Sequence, residues 1–316
     1  MREKKYIYIN GRITSEDEAR VSPSERGFLL GDGLFETIMA REGRPLFLEA
    51  HLKRLRSGLK ALGFEADTLQ VLFKDIEEEI ISRLLNKNEL AEKEARVRIT
   101  ISRGCAEGGL APASDCKPTV IISAAPVDTK LIARKANLGI PAITIKGLRP
   151  AMPGVKSINF MPNIIGAGMA KKAGAGEAFF LAEDNKTLLE GTSSNIFILR
   201  EGELLTPPAA REPGGPGALP GVVRQVVLEV AKERKIPAKE KWFTIDELLT
   251  AEEAFITNSI SGVVPIVEVD SEPIAEGRPG KITRKMQEDY KKKTSCFLLE
   301  KRKFAKKTNG GIKLLH

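Results

Sequence analysis

The stretch that decides the fold runs from Val155 to Leu199 and reads VKSINFMPNIIGAGMAKKAGAGEAFFLAEDNKTLLEGTSSNIFIL. The turn Pro153-Gly154 precedes it, and Lys156 stands in the strand-like run that follows. A helix rich in small residues is predicted over about 161–174, broken by Gly174 and Gly176. Strands are predicted over 177–182 and 194–199, and Glu190 closes an extended run just before Gly191-Thr192-Ser193-Ser194-Asn195. One amine and one carboxylate are therefore presented by extended segments on either side of a helix. The other lysines here, Lys171 and Lys172, fall on a polar helix face and are explained by solvation.

Toward the N-terminus, residues 6–12 alternate as a strand ending in the Asn10-Gly11 turn. Gly31-Asp32-Gly33 leads into the strand LFETIMA, and Glu42-Gly43 turns it into a hairpin with PLFL. From Leu48 to Leu62 the apolar spacing of three and four predicts a helix with Gly63 as its C-cap, and a second helix is predicted over 67–86. RVRITIS and TVIISAAPV read as strands around a Gly-rich loop, 104–111. These elements make a small α+β domain over 1–125, with 126–135 as an interdomain linker. A larger domain is predicted over 136–290. It has strands near 136–146 and 155–159, and a Pro/Gly loop TPPAAREPGGPGALPG feeding a helix at 221–235. A short helix at 244–249, strands in AFITNS and VVPIVEVD and a helix at 280–293 complete it.

Apolar residues make up 42% of the chain, ordinary for a globular protein, and no run is long enough to span a membrane. Three cysteines, Cys105, Cys116 and Cys296, follow no metal-ligand spacing, so no metal is expected and a reducing cytoplasm is the simplest compartment. The formal net charge is +8, yet from Lys291 onward nine basic residues and one acid carry the whole excess. A neutral body with a basic tail over 291–316 excludes a nucleic-acid-binding domain. With His51 and His316 as its only histidines, the chain excludes Ser-His-Asp hydrolysis and His-rich metal sites. Gly31-Asp32-Gly33 lacks the lysine of a phosphate loop.

A lysine able to form an imine and a carboxylate able to face a protonated heterocyclic nitrogen are what a pyridoxal 5'-phosphate (PLP) site requires. A lysine in a buried cleft meets the first need, because desolvation lowers its pKa toward the reactive free amine. The order and spacing of the words around Lys156 and EGTSSNIF resemble the fold-type IV PLP enzymes, the class IV aminotransferases. That family includes branched-chain aminotransferases, D-amino-acid aminotransferases and 4-amino-4-deoxychorismate lyases. The resemblance covers about residues 5–285. It implies a two-domain α+β fold, D-amino-acid aminotransferase-like, with the active site between the domains, a homodimer, and a neighbouring subunit's loop reaching in; the 100–112 loop is the candidate. It further implies Lys156 as the Schiff-base lysine and Glu190 as partner of the pyridine nitrogen. HLKRL resembles the family's H-x-x-R-L word, so Arg54 is implied as a phosphate ligand and His51 as a structural hydrogen-bonding group. LPGVVR implies Gly221, Val222 and Val223 as backbone phosphate donors at a helix start, and Thr257-Asn258-Ser259 implies Ser259 as a hydroxyl donor. In the family GDG-x-F-E-T starts a pocket-lining strand. Alternation puts Phe35, Thr37 and Met39 on one face, the face assigned to substrate.

The reaction itself divides two ways. FETI, ISRG, the TPP…LPG loop and TNSISGVVPI look lyase-like. The loop CAEGGLAP, however, has Gly108 and Leu110 where an arginine and an aromatic would resemble the lyase, and it lacks the Arg and His of D-amino-acid aminotransferases. Met39 stands where a basic residue is common, while Arg98 falls where branched-chain aminotransferases carry a carboxylate-binding arginine. The expectation is a PLP-dependent aminotransferase acting on a branched-chain-like amino acid and a 2-oxo acid, with neither nucleic acid nor membrane as partner. The alternatives are 4-amino-4-deoxychorismate lyase and a non-catalytic PLP- or polyanion-binding protein. The Arg211–Gly215 insertion and the basic extension depart from the family pattern.

Overall fold

The computed structural model describes residues 4–74, 76–105, 109–111, 116–150, 152–212 and 214–309. The first half of the chain forms β1 (Tyr6–Ile9), β2 (Arg12–Ser15), α1 (Arg26–Leu30), β3 (Gly33–Arg41), β4 (Arg44–Pro45), α2 (Leu48–Ala61), α3 (Ala66–Lys74), α4 (Glu78–Lys87), β5 (Ala95–Ser102) and β6 (Thr119–Pro126). Its six strands make one antiparallel sheet ordered β2-β1-β6-β5-β3-β4. Helix α2 buries Leu48, His51, Leu55, Gly58 and Leu59, a stripe at helical spacing, against Leu34 and Ile38 of β3. Each fully buried leucine of that stripe contributes roughly 1.5–3 kcal/mol of apolar burial. The chain leaves α2 through Gly63 at φ 75°, where its N–H meets Lys60 O and the Phe64 N–H reaches back to Leu59 O. A left-handed residue there satisfies carbonyls the helix end would otherwise orphan. The helix predicted over 67–86 is two helices, α3 and α4.

Between the sheets, the stretch expected as the interdomain linker is largely helical. α5 (Thr129–Leu138) occupies most of 126–135 and pushes the next strand back to Ile140; Asp128 caps it by accepting from the Leu131 N–H. The second half adds β7 (Ile140–Ile145), α6 (Met161–Lys172), β8 (Glu177–Leu181), β9 (Leu188–Gly191), β10 (Asn195–Arg200), β11 (Glu203–Thr206), α7 (Val222–Glu233), β12 (Ala238–Glu240), α8 (Ile245–Leu249), β13 (Glu253–Asn258), β14 (Gly262–Val269), β15 (Glu272–Pro273) and α9 (Lys281–Asn309). A nine-stranded mixed sheet runs β12-β11-β10-β13-β14-β7-β8-β9, with β15 paired to β14. Helices α7 and α9 cover one face through Val226, Val227, Val230 and Met286, and α8 covers the other through Leu248. Covered on both faces, its central strands read as continuous apolar runs such as NIFILR. Phe197 and Phe255, directly opposite on β10 and β13, stack with centroids 5.0 Å apart.

Two further expectations change. Residues 155–159 are not a strand of the second sheet. Phe35 N–H donates to Lys156 O at 2.9 Å and Ile158 N–H donates to Gly33 O at 3.0 Å, with Ser157 bridged to Leu34. The segment carrying Lys156 is therefore pinned to β3 of the other sheet. The basic tail expected from residue 291 begins instead as helix: α9 continues to Asn309, burying Thr294 and packing Leu298 against Met39 and Leu46. Residues 310–316 lie outside the described residues, as do Gly108 and parts of the 100–112 loop. Among the described residues no helix is long and apolar enough to cross a membrane.

Candidate active site

A cavity of about 410 Å³ opens between the two sheets. β3 and β5 supply Phe35, Thr37 and Arg98 from one side; Glu190, the 191–195 turn, the start of α7 and the 257–261 turn close it from the other. Ten residues singled out in the sequence line this cavity: Phe35, Thr37, Arg54, Arg98, Lys156, Glu190, Gly221, Val222, Val223 and Ser259. Met39 does not. It shares a strand face with Phe35 and Thr37, but Leu46 and Leu298 cover it. Lys171 and Lys172 are exposed on α6.

Lys156 places its amine 4.7 Å from the centre of the Phe35 ring and 5.6 Å from that of Phe160, two rings packed edge to face. Burial of the amine, then the nearby Arg54 cation, pushes its pKa down to about 8 against the pull of Glu36 and Glu190. Glu190 is the only acid on the described lining. Burial pushes its pKa up to about 7, although its carboxylate accepts the Leu219 N–H at 2.9 Å and feels Lys156 and Arg54. The two groups have been moved toward each other and toward neutrality, as acid–base partners in active sites commonly are.

Behind the cavity wall stands a residue the sequence reading passed over. Glu36 is wholly buried, and α2 meets it with two side chains one turn apart. Arg54 donates through Nε and Nη2 at 2.7 and 2.6 Å, and His51 through Nδ1 at 2.8 Å. Burial alone would raise the Glu36 pKa; the Arg54 charge and the two donors outweigh it and hold the carboxyl at about 2. Burial keeps His51 below its ordinary pKa, so neutral His51 serves as a donor. Arg54 also donates from Nη1 to Pro220 O at 2.9 Å, tying α2 to the loop that opens α7. The guanidinium thus faces the cavity in a fixed pose. The signal was there to read: His and Arg at i and i+3 on a helix that must bury that face need an anion opposite them.

A second unread acid, Glu177, shapes the 191–195 turn. It accepts Thr192 N–H at 3.0 Å, Ser194 Oγ–H at 2.7 Å and the Thr192 hydroxyl. On the opposite wall, Gly221 starts α7 with no side-chain cap, and a Cβ there would come within 1.9 Å of Asn195 Oδ1. The uncapped first turn of α7, Arg54, Thr257 and Ser259 all line this one cavity. Thr257 Oγ1 is buried with no hydrogen-bond partner. A helix N-terminus, an arginine and an unmatched hydroxyl form a donor set that suits a phosphate. Gly214 N–H donates to Pro153 O at 2.9 Å, next to the turn before Lys156.

A family model described as amino-transferase class IV matches residues 33–269. A Methanocaldococcus jannaschii protein, provisionally named a branched-chain-amino-acid aminotransferase, is 35% identical over 90% of this chain and 95% of its own length. A D-alanine aminotransferase of Staphylococcus epidermidis is 30% identical over 90% of this chain and 96% of its own. Among solved structures, the Escherichia coli branched-chain amino acid aminotransferase superposes with a TM-score of 0.79 at 26% identity, covering 90% of this chain and 93% of that one.

Proposed function

The chain belongs to the class IV aminotransferases, a PLP-dependent family, and from that premise we propose that it moves an amino group between a branched-chain-type amino acid and a 2-oxo acid at the cavity between its sheets. The observation that carries this reading is the pairing of a buried amine held near pKa 8 with a buried carboxyl held near 7 across one cavity that also offers a phosphate-shaped donor set. PLP fits these residues. Lys156 would hold its aldehyde carbon, Glu190 its ring nitrogen, and Arg54, the α7 N-terminus, Thr257 and Ser259 its phosphate. When bound, PLP supplies an electron sink for the α-carbon.

The rest is the work of the chain's own groups. With PLP and substrate bound, Lys156 would be the base that takes the proton from the substrate α-carbon, a role its buried, lowered-pKa amine suits. Glu190, the acid of the described lining, would face the ring nitrogen and hold a proton there. Arg98 sits over the Phe35 ring, 3.8 Å from guanidinium carbon to centroid, and donates from Nε to Thr100 Oγ1 at 3.2 Å, leaving its outer nitrogens for a substrate carboxylate. Phe35, Phe160, Met152 and Val155 give the apolar wall a branched side chain needs.

Single-turnover spectroscopy of the holoenzyme with L-leucine, L-glutamate, D-alanine and aminodeoxychorismate tests the proposal. Stoichiometric conversion of the cofactor to its amine form by L-leucine is expected, with a higher half-saturating concentration in Arg98→Ala. No conversion by any amino acid, with pyruvate and p-aminobenzoate released from aminodeoxychorismate, would make the enzyme a lyase instead.

The exposed faces support a second copy of this chain as partner. Phe28, Leu29 and Leu30 of α1 and Met161, Ile164 and Ile165 of α6 are exposed, and Gly31, which ends α1, abuts Asn159, a cavity-lining residue just before α6. Sedimentation should give twice the 34.5 kDa of one chain; a monomer at micromolar concentration would remove the homodimer.

A further inference from the structure

The cationic lining exceeds what the cofactor needs. Arg54 is matched by Glu36 and Arg224 by Glu240, while Lys156 faces Glu190. Arg98 and Lys135 also line the cavity, and neither has a carboxylate partner among the described residues. Lys135 comes from α5, the helix that joins the two sheets, and not from either sheet. It is half-buried on the last turn. That turn is fixed from outside. Arg284 of α9 donates from Nη1 to Ala136 O at 2.9 Å and from Nη2 to Asn137 O, and Gln287 donates from Nε2 to Ala136 O at 2.9 Å. The carbonyl end of α5 is thus already satisfied by α9, so the Lys135 amine is not needed there as a helix cap. Ile132 of α5 and Ile260 of the cavity wall both pack against the cluster of Met39, Leu46 and Leu298.

We infer that Lys135 is a specificity-determining residue: together with Arg98 it selects a dicarboxylic substrate by holding the carboxylate farthest from the reacting carbon. The inference rests on the aminotransferase reading above. An amino acid or 2-oxo acid with one carboxylate satisfies one free cation of the cavity; an acid with two satisfies both. The partly enclosed site weakens water's competition for the second carboxylate. Because the contact is made equally before and during proton transfer, it acts on binding and leaves the chemical step alone.

Steady-state kinetics of the holoenzyme with 2-oxoglutarate and with 4-methyl-2-oxopentanoate as amino acceptors tests this. Lys135→Met should raise KM for 2-oxoglutarate about tenfold, the size of one lost charge-assisted contact, while KM for 4-methyl-2-oxopentanoate moves by less than about twofold and kcat changes little for either. Lys135→Arg should restore most of the loss. An equal change for both acids would make Lys135 merely structural, and an unchanged ratio, or no turnover of 2-oxoglutarate by the unaltered enzyme, would overturn the inference. If the unaltered enzyme turned over neither acid, the aminotransferase reading itself would have failed.

Discussion

Lys156→Ala is expected to lower kcat/KM for amino transfer by about 10⁴-fold or more, since general acid–base catalysis alone contributes about 10²–10⁴ and covalent attachment is lost with it. The fold should survive. The main chain of Lys156 keeps its hydrogen bond from Phe35 N–H, and removing an amine whose charge burial disfavours costs no ion pair. Lys156→Arg should be as inactive, because a guanidinium stays protonated and cannot attack a carbonyl. The pH dependence has a definite sign. Only the free amine reacts, burial has lowered its pKa from 10.5 to about 8, and so the rate of PLP uptake by the apoenzyme should climb as pH rises through about 8 and then level off. At pH 7 about a tenth of the molecules carry the free amine, against far fewer for an ordinary lysine. Rapid-mixing absorbance of apoenzyme with PLP measures this directly. Activity in Lys156→Ala within tenfold of the unaltered enzyme would move the reactive amine elsewhere; Lys171 and Lys172, exposed on α6, are the controls.

What was legible in the sequence was what short words and periodicity can carry. Lys156 and Glu190 sit in distinctive local context, and the α2 stripe repeats at three and four. What was not legible depended on which elements meet. Alternation along LFETIMA separates Phe35 and Thr37 from Glu36, and a half-buried strand would turn Glu36 to water. β3 is covered on both faces, so Glu36 became the buried anchor of Arg54. The same covering misplaced Met39: alternation gave its face correctly, but distance along the strand carried it past the cavity to α9. The segment 155–159 has strand-like composition and does pair, though with β3 of the other sheet, a choice no local pattern encodes. The stretch 126–135 was read as an interdomain linker with no element assigned, yet Asp128 before Thr129 is an ordinary helix start. In α9 the run of lysines masked Tyr290 and Leu298, whose spacing continues the apolar face well past the expected end.

Glu36→Gln is the second large effect, and it falls on stability. Glutamine keeps the shape of the side chain, but one of its amide hydrogens must now oppose a donor from Arg54 or His51, and the Arg54 cation loses its buried counter-charge. Breaking a buried pair in this way costs about 3–5 kcal/mol; the cavity beside Arg54 admits water and favours the low end. Linkage gives an independent figure. The fold holds Glu36 at about 2 instead of 4.5, so its ionised form contributes on the order of 3 kcal/mol. That contribution is full above the ordinary carboxylate range and is lost as pH falls from about 4.5 toward 2. Urea unfolding should therefore show a lower midpoint for Glu36→Gln at pH 7 with an unchanged slope, and the gap between variant and unaltered protein should close progressively below pH 4.5. A consequence for the site follows from the same contacts. Glu36 receives two of the Arg54 donors, so its loss frees the guanidinium to swing, and PLP should bind the variant more weakly even where it remains folded. Equal midpoints at pH 7, or a gap that stays constant into acid, would show that Glu36 neither holds Arg54 by charge nor ties the two halves of the cavity together through the Arg54 bond to Pro220.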